Sequence, residues 1–242
     1  MRILWVWKAG SVCALPLLLF ISQVNAQDAK QKSADKAQIS RIHELQKGDP
    51  HGLKEIGGFL QDPDRAVRVE AVKAIVKIGS SASLDPLVSA TRDTDAEVRV
   101  RATDGIVNVY LPGYVGESSL SGYFTRGVKR VKAFFSARND SVIDDDVNVR
   151  EDVAQAIAEE INFGDQMDAR SNAALAAGVL RLKAAVPALE QGLWSKDSDL
   201  IFECLVALQK VHDPGAGSGA GFLVRDLDER TQVTALETVG VL

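Results

Sequence analysis

The chain has 242 residues, of which 46% are hydrophobic, 25% charged and 6% aromatic, with a formal net charge of −5. This balance argues against a disordered chain, and the acidic excess gives no general case for a nucleic-acid-binding surface. With so few aromatics, Ala, Val and Leu must supply the apolar surface, which suits close helix–helix packing better than a β-rich core.

Residues 1–26 read as a secretory signal. Arg2 and Lys8 supply a positive start, Ala9 to Ser22 is an uncharged apolar stretch, and Val24-Asn25-Ala26 ends on a small residue. The apolar stretch is shorter than the ~18–20 residues that span a bilayer, so cleavage near Ala26 and export are expected, with an uncleaved N-terminal anchor as the alternative. Cys13 would leave with the signal, and Cys204, inside "LIFECLVALQKV", is expected to be a buried thiol. Residues 27–38 read as a polar tether or frayed helix start. His43-Glu44 is a lone His-Glu pair, too little for a metal site, and no metal, cofactor or catalytic residue is nominated.

From Asp64 the chain repeats itself. "DRAVRVEAVKAIVKIG" and, from Asp95, "DAEVRVRATDGIVNVY" share D-x-x-V-R and apolar residues at offsets of 4, 8 and 11, one face of an α-helix. The same frame returns at Ala169, Leu200 and Thr231, and the steps from 67 to 98, 169 to 200 and 200 to 231 are equal, which sets a 31-residue period. A shorter helical segment lies between the long ones, as at Leu84–Asp93, Lys183–Ser195 and Ser218–Leu227. Neither helix buries its apolar face alone, so the fold class is all-α, a solenoid of stacked helical hairpins. Asp64, Asp95 and Asp197 stand where a carboxylate caps the long helix. The last long helix is expected to lack a polar capping unit, as in a fragment of a longer array or an end that docks onto something. "DPGAGSGAGF" falls at an inter-helix turn and lacks the Lys of a phosphate loop.

The array is interrupted in its middle. Val98 and Ala169 stand two periods and nine further positions apart, an interval that one divergent repeat with an insertion would fill. The expected division is therefore 39–109 for the N-terminal repeats, 110–146 for the divergent segment and 147–242 for the C-terminal repeats. The Asp144–Asp146 run is expected to cap the helix that follows. Within the divergent segment, Phe124, Val128, Val131 and Phe135 recur at helical spacing, while Arg126, Lys129, Arg130 and Lys132 fall elsewhere around the helix. Such a basic amphipathic helix can pack on a neighbouring repeat, grip an acidic protein partner or lie on an anionic membrane surface. Tyr123, Phe124, Arg126, Lys129, Arg130 and Lys132 are the candidate partner-binding residues.

The 31-residue hairpin, the D-x-x-V-R start and the small-residue face resemble short HEAT-type repeats, as found in phycobilin-lyase-like repeat proteins, over Gly52–Val109 and Asp168–Leu242. The resemblance implies that Asp64, Arg68, Asp95 and Arg99 form a ladder between neighbouring units. It also offers two functions. One is an exported, non-enzymatic scaffold for a protein partner. The alternative is a phycobilin-lyase-like enzyme or accessory subunit working through the concave face.

Overall fold

Two devices recur at the ends of the long helices: an aspartate cap at the start of four and a left-handed residue after three. In the computed structural model, which describes residues 31–47, 51–115 and 141–242, the carboxylates of Asp64, Asp95, Asp197 and Asp228 accept backbone N–H bonds from the first turns of Arg65–Ile78 (α3), Ala96–Tyr110 (α5), Ser198–Val211 (α9) and Glu229–Val241 (α11). Each such cap stabilises its helix by about 0.5–2 kcal/mol. At the far end, Gly79 closes α3 at φ 59° and His212 closes α9 at φ 53°. Arg181, at φ 49°, stands at the same repeat position just beyond Met167–Val179 (α7). A left-handed residue there turns the chain towards the short helix.

Residues 31–45 form α1, so of the two expectations for 27–38, a polar tether or a helix start, helix occupies the part from residue 31. After it come His51–Gly58 (α2) and, between the long helices, Leu84–Ala90 (α4), Glu151–Phe163 (α6), Val186–Gly192 (α8) and the four-residue Gly217–Ala220 (α10). The last short segment, read in the sequence as a helix over Ser218–Leu227, passes into a 3-10 turn at Gly221–Arg225. Packing follows chain order. α3 lies on α5, α5 on α7, α7 on α9 and α9 on α11, while α4 touches α6 and α6 touches α8. The result is a two-layer α-solenoid with long helices in one layer and short helices in the other.

The core is a continuous seam of small and branched side chains. Val67, Val98, Ala169, Leu200 and Thr231, the frame residues of the 31-residue repeat, are all essentially inaccessible. Small residues let the layers close. A Cβ on Gly105 would stand 2.5 Å from Val76 Cγ2, and one on Gly192 would stand 2.5 Å from Cys204 Sγ. Cys204 is fully buried, and that burial pushes its thiol pKa well up. On the far side of α11, Val233, Leu236, Val239 and Val241 are exposed.

The interruption differs from its expected form. α5 packs directly on α7, and Asn172 Nδ2 on α7 donates to Val100 O and Asp104 Oδ1 on α5 at 3.4 and 3.3 Å. Val98 and Ala169 are therefore in adjacent units, and the interval between them is a single period enlarged by forty positions. The insertion is in the turn from α5 to α6. It begins where Tyr110 occupies the repeat position that Gly79, Arg181 and His212 use to stop their helices. The returning limb is pinned by Ile143 N–H to Val179 O at 2.9 Å, by the Asp145–Arg181 pair and by Arg150 N–H to Tyr110 Oη at 3.1 Å. Asp144–Asp146 do not cap α6, whose first turn follows Arg150 with no side-chain cap. The D-x-x-V-R at Asp146, Val149 and Arg150 thus lies ahead of a short-layer helix and does not open a long one.

One carboxylate in the long layer is held at a cost. Glu203 on α9 is 2% exposed and its Oε2 has no hydrogen-bond partner. Burial raises its pKa to about 7; Arg230 and Lys210 offset this in part, and Asp199 adds to it. Below pH ~4.5 both folded and unfolded chains keep this proton and stability is unaffected. As pH rises, the unfolded chain ionises first, so stability falls until the folded group ionises near pH 7, by a total on the order of 3 kcal/mol. Urea unfolding of wild type should show this fall, and Glu203→Gln should remove it. Identical pH profiles for the two would disprove the assignment.

Candidate functional site

The turns into α3, α5 and α7 are each built around one arginine. Four residues after the Asp64 cap, Arg68 reaches back so that Nη1 donates to Asp62 O and Pro63 O at 3.0 and 3.2 Å. Its Nε and Nη2 donate to both Asp93 oxygens, in the next turn, at 2.8 and 3.1 Å. Arg99 repeats the arrangement, with Nη1 on Asp93 O and Thr94 O at 2.9 and 3.3 Å, Nε on Glu160 Oε1 at 3.0 Å and Nη2 on Asp165. Arg170 keeps the inward bond alone, from Nε to Ile161 O at 2.7 Å. At the same position Ile201 makes no such bond, and Gln232 donates to Val224 O at 3.1 Å.

These bonds place the repeat residues differently from a simple Asp–Arg ladder. Asp64 turns its carboxylate onto its own helix, at Ala66 N and Val67 N. Asp95 caps its helix and also accepts from Arg65 at 2.6 Å, and Arg65 reaches Glu97 at 2.6 Å. Arg68 crosses to Asp93, two residues before the cap. His43 lies 3.3 Å from Glu70 Oε2, and among the described residues no group of three or more His, Cys, Asp or Glu could hold a metal ion. Tyr123, Phe124, Arg126, Lys129, Arg130 and Lys132 are outside the described residues.

Between these turns an open cleft of about 530 Å³ is lined by Arg92, Arg99, Glu159, Glu160, Phe163 and Asp165, among others. A smaller one of about 230 Å³ lies beside Arg68, Arg92 and Asp93. Arg99 and Glu160 are 6% and 7% exposed. Burial disfavours the Arg99 charge, but Glu160 and Asp165 outweigh it and hold its pKa above the ordinary value. Burial raises the Glu160 pKa and the Asp165 carboxylate adds to the rise, while Arg99 offsets it in part. Arg92 and Glu159 form an exposed pair at 2.8 Å.

Along the same edge stand aromatic side chains that the helical frame did not single out. Phe163 is 79% exposed and Trp194 73% exposed. Each stands three positions before the residue that flanks the start of a long helix, so the two are equivalent and one period apart. Trp194 stacks on Phe222 of the following turn with centroids 4.1 Å apart and planes at 14°. The signal for this row was present in the sequence, since Glu159/Phe163 and Glu190/Trp194 repeat with the same period.

Residues 28–106 match the family model of HEAT repeats. No curated protein matches the chain. Among solved structures, a designed armadillo repeat protein in complex with the peptide (KR)4 is similar at 16% identity and a TM-score of 0.52, with 91% of this chain and 97% of that one covered. A computationally designed armadillo repeat protein for modular peptide recognition gives 14% identity and a TM-score of 0.51, with 92% and 98% covered. An engineered protein gives 17% identity and a TM-score of 0.50, with 86% and 90% covered. These likenesses are of fold: an all-α, armadillo- and HEAT-like solenoid.

The buried and exposed ion pairs should respond differently to truncation. Arg99→Ala leaves Glu160 buried beside an empty place and should cost about 3 kcal/mol in urea unfolding. Arg92→Ala, which removes an exposed pair, should cost less than about 1 kcal/mol. Equal losses would show that the Arg99 cluster does not tie the units together.

Proposed function

We propose that the chain is an exported protein-interaction scaffold that engages a partner polypeptide along the edge carrying Phe163, Trp194 and Phe222. The observation that carries this reading is large apolar side chains, exposed in repeat register and rimmed by Arg92, Glu159 and Asp165. A rigid solenoid that places aromatics on its surface, when only 6% of its residues are aromatic, is built to contact another molecule there. Two of the structural neighbours were made for or solved with peptides, which suits the same use of the fold. The reading assigns no catalytic step, and it keeps Tyr123, Phe124, Arg126, Lys129, Arg130 and Lys132 as a second contact for the partner.

Pull-down with mass spectrometry from an envelope extract tests the scaffold. Wild type should recover a partner that the Phe163→Ala/Trp194→Ala double variant, with unchanged helical circular dichroism, does not recover. Undiminished recovery by the folded double variant would remove this edge from the reading.

Export rests on the charged start, the apolar stretch and the Val24-Asn25-Ala26 ending. N-terminal sequencing of the chain from an expressing cell should find Gln27 as the first residue. An intact Met1 or Arg2 start on protein in the cytosolic fraction would refute it.

A further inference from the structure

The contacts along the aromatic edge follow a rule, and one step of the rule is left open. A residue three before the start of one long helix meets a residue six or seven before the start of the next. Arg92 meets Glu159, donating Nε and Nη2 to its Oε2 at 3.1 and 2.8 Å. Two steps on, Trp194 meets Phe222 at 4.1 Å. By register the step between them sets position 163 against position 190, since the two stand to their helices as 92 and 159 do. Here the internal arginine has become a phenylalanine, and the carboxylate it would have neutralised is still present. No cation among the described residues forms an ion pair with Glu190, and Phe163 is 79% exposed.

We propose that this step is a socket for an arginine side chain of the partner polypeptide, a deepening that rests on the scaffold reading. Three groups on this stretch of edge match a guanidinium. Phe163 offers a ring face on one side. Trp194, four residues beyond Glu190, offers the ring face that its stack on Phe222 leaves uncovered. Glu190 supplies the carboxylate. In the present structure it leans towards the following unit, with Oε1 2.8 Å from where a Cβ on Gly219 would stand, and the glycine leaves the room for it to do so. It is half-buried, so turning back to a cation needs only rotamer changes. Aromatic faces attract a planar guanidinium, and a carboxylate takes it in a fork of hydrogen bonds, a combination that an ammonium satisfies less well. The pair of Arg92 with Glu159 shows the polar half of this recognition made within the chain, one unit earlier. The net charge of −5 draws a basic segment to the surface.

Calorimetric titration of the full chain with a blocked Gly-Arg repeat peptide tests the proposal. The peptide should bind, and its uncharged Gly-citrulline counterpart should bind about tenfold more weakly or not at all. Glu190→Gln should weaken the Gly-Arg peptide about tenfold. Phe163→Arg, which restores the internal pair, should weaken it by a similar factor. Glu237→Gln, an exposed carboxylate on α11 removed with the same change in net charge, should leave affinity unchanged. The socket is overturned by absence of binding, by equal binding of the citrulline peptide, or by an equal loss in Glu237→Gln. If the peptide fails while partner recovery still depends on the Phe163/Trp194 edge, the scaffold stands and the socket falls. If the peptide binds with the expected variant pattern but no partner is recovered, the socket stands without the scaffold.

Discussion

The arginine at the start of α3, α5 and α7 is the interaction on which the array depends. A solenoid unit contacts only its neighbours, so its orientation must be fixed at every junction. Arg68 and Arg99 do this by filling the inside of a turn with hydrogen bonds to its carbonyls and then reaching the carboxylate of the next turn. These partly buried turn carbonyls take from the arginine the donors that the helices do not supply. One side chain therefore satisfies its own turn and sets the spacing to the next unit. Where the arginine is lost, the requirement persists in part: Gln232 still supplies a donor to Val224 O, while Ile201 meets the need for packing alone.

Pinning the turns from inside leaves their outer side chains free to vary. The residue three before the helix start is Arg92 in one unit, Phe163 in the next, Trp194 in the third and Arg225 in the fourth. Beneath the first two of these, Arg99 and Arg170 keep their bonds to the turn carbonyls whether the outer residue is Arg92 or Phe163. Such a surface can be altered unit by unit without unfolding the array, which is the physical condition for a repeat protein to acquire a specific partner. Glu203 obeys the opposite logic. It sits in the long-helix layer where neighbours approach closely, and burial there favours its neutral form and raises its pKa.

The repeat was legible because a 31-residue period and a helical apolar frame are constraints on every unit, and Val67, Val98, Ala169, Leu200 and Thr231 obey them. The interruption was misread for a physical reason. The interval from Val98 to Ala169 is the same whether a divergent unit carries nine extra positions or a single turn is enlarged by forty. The Asp144–Asp146 run suggested a cap that is not made, because an Asp caps only where it meets the free N–H groups of a first turn, and here the helix begins after Arg150. The aromatic edge escaped notice because Phe163 and Trp194 lie beyond the apolar face that defines the frame. Periodicity in residue number, read without regard to hydropathy, would have found it.

The place of the insertion follows from how helices are stopped. Gly79, Arg181 and His212 turn the chain back at once by adopting the left-handed conformation, a strained state for the two that are not glycine. At the equivalent place Tyr110 stays helical and its hydroxyl accepts from the N–H of Arg150, the residue just before α6. A tight reversal has been replaced by a clasp between the two ends of a long excursion. The clasp sits on the turns from long to short helices, whereas the ladder and the aromatic edge sit on the turns from short to long. Forty residues could therefore enter the chain without moving an arginine of the ladder: Asn172 of α7 still reaches α5, and Arg99 still reaches Asp165. An insertion at the other set of turns would have cut the ladder itself.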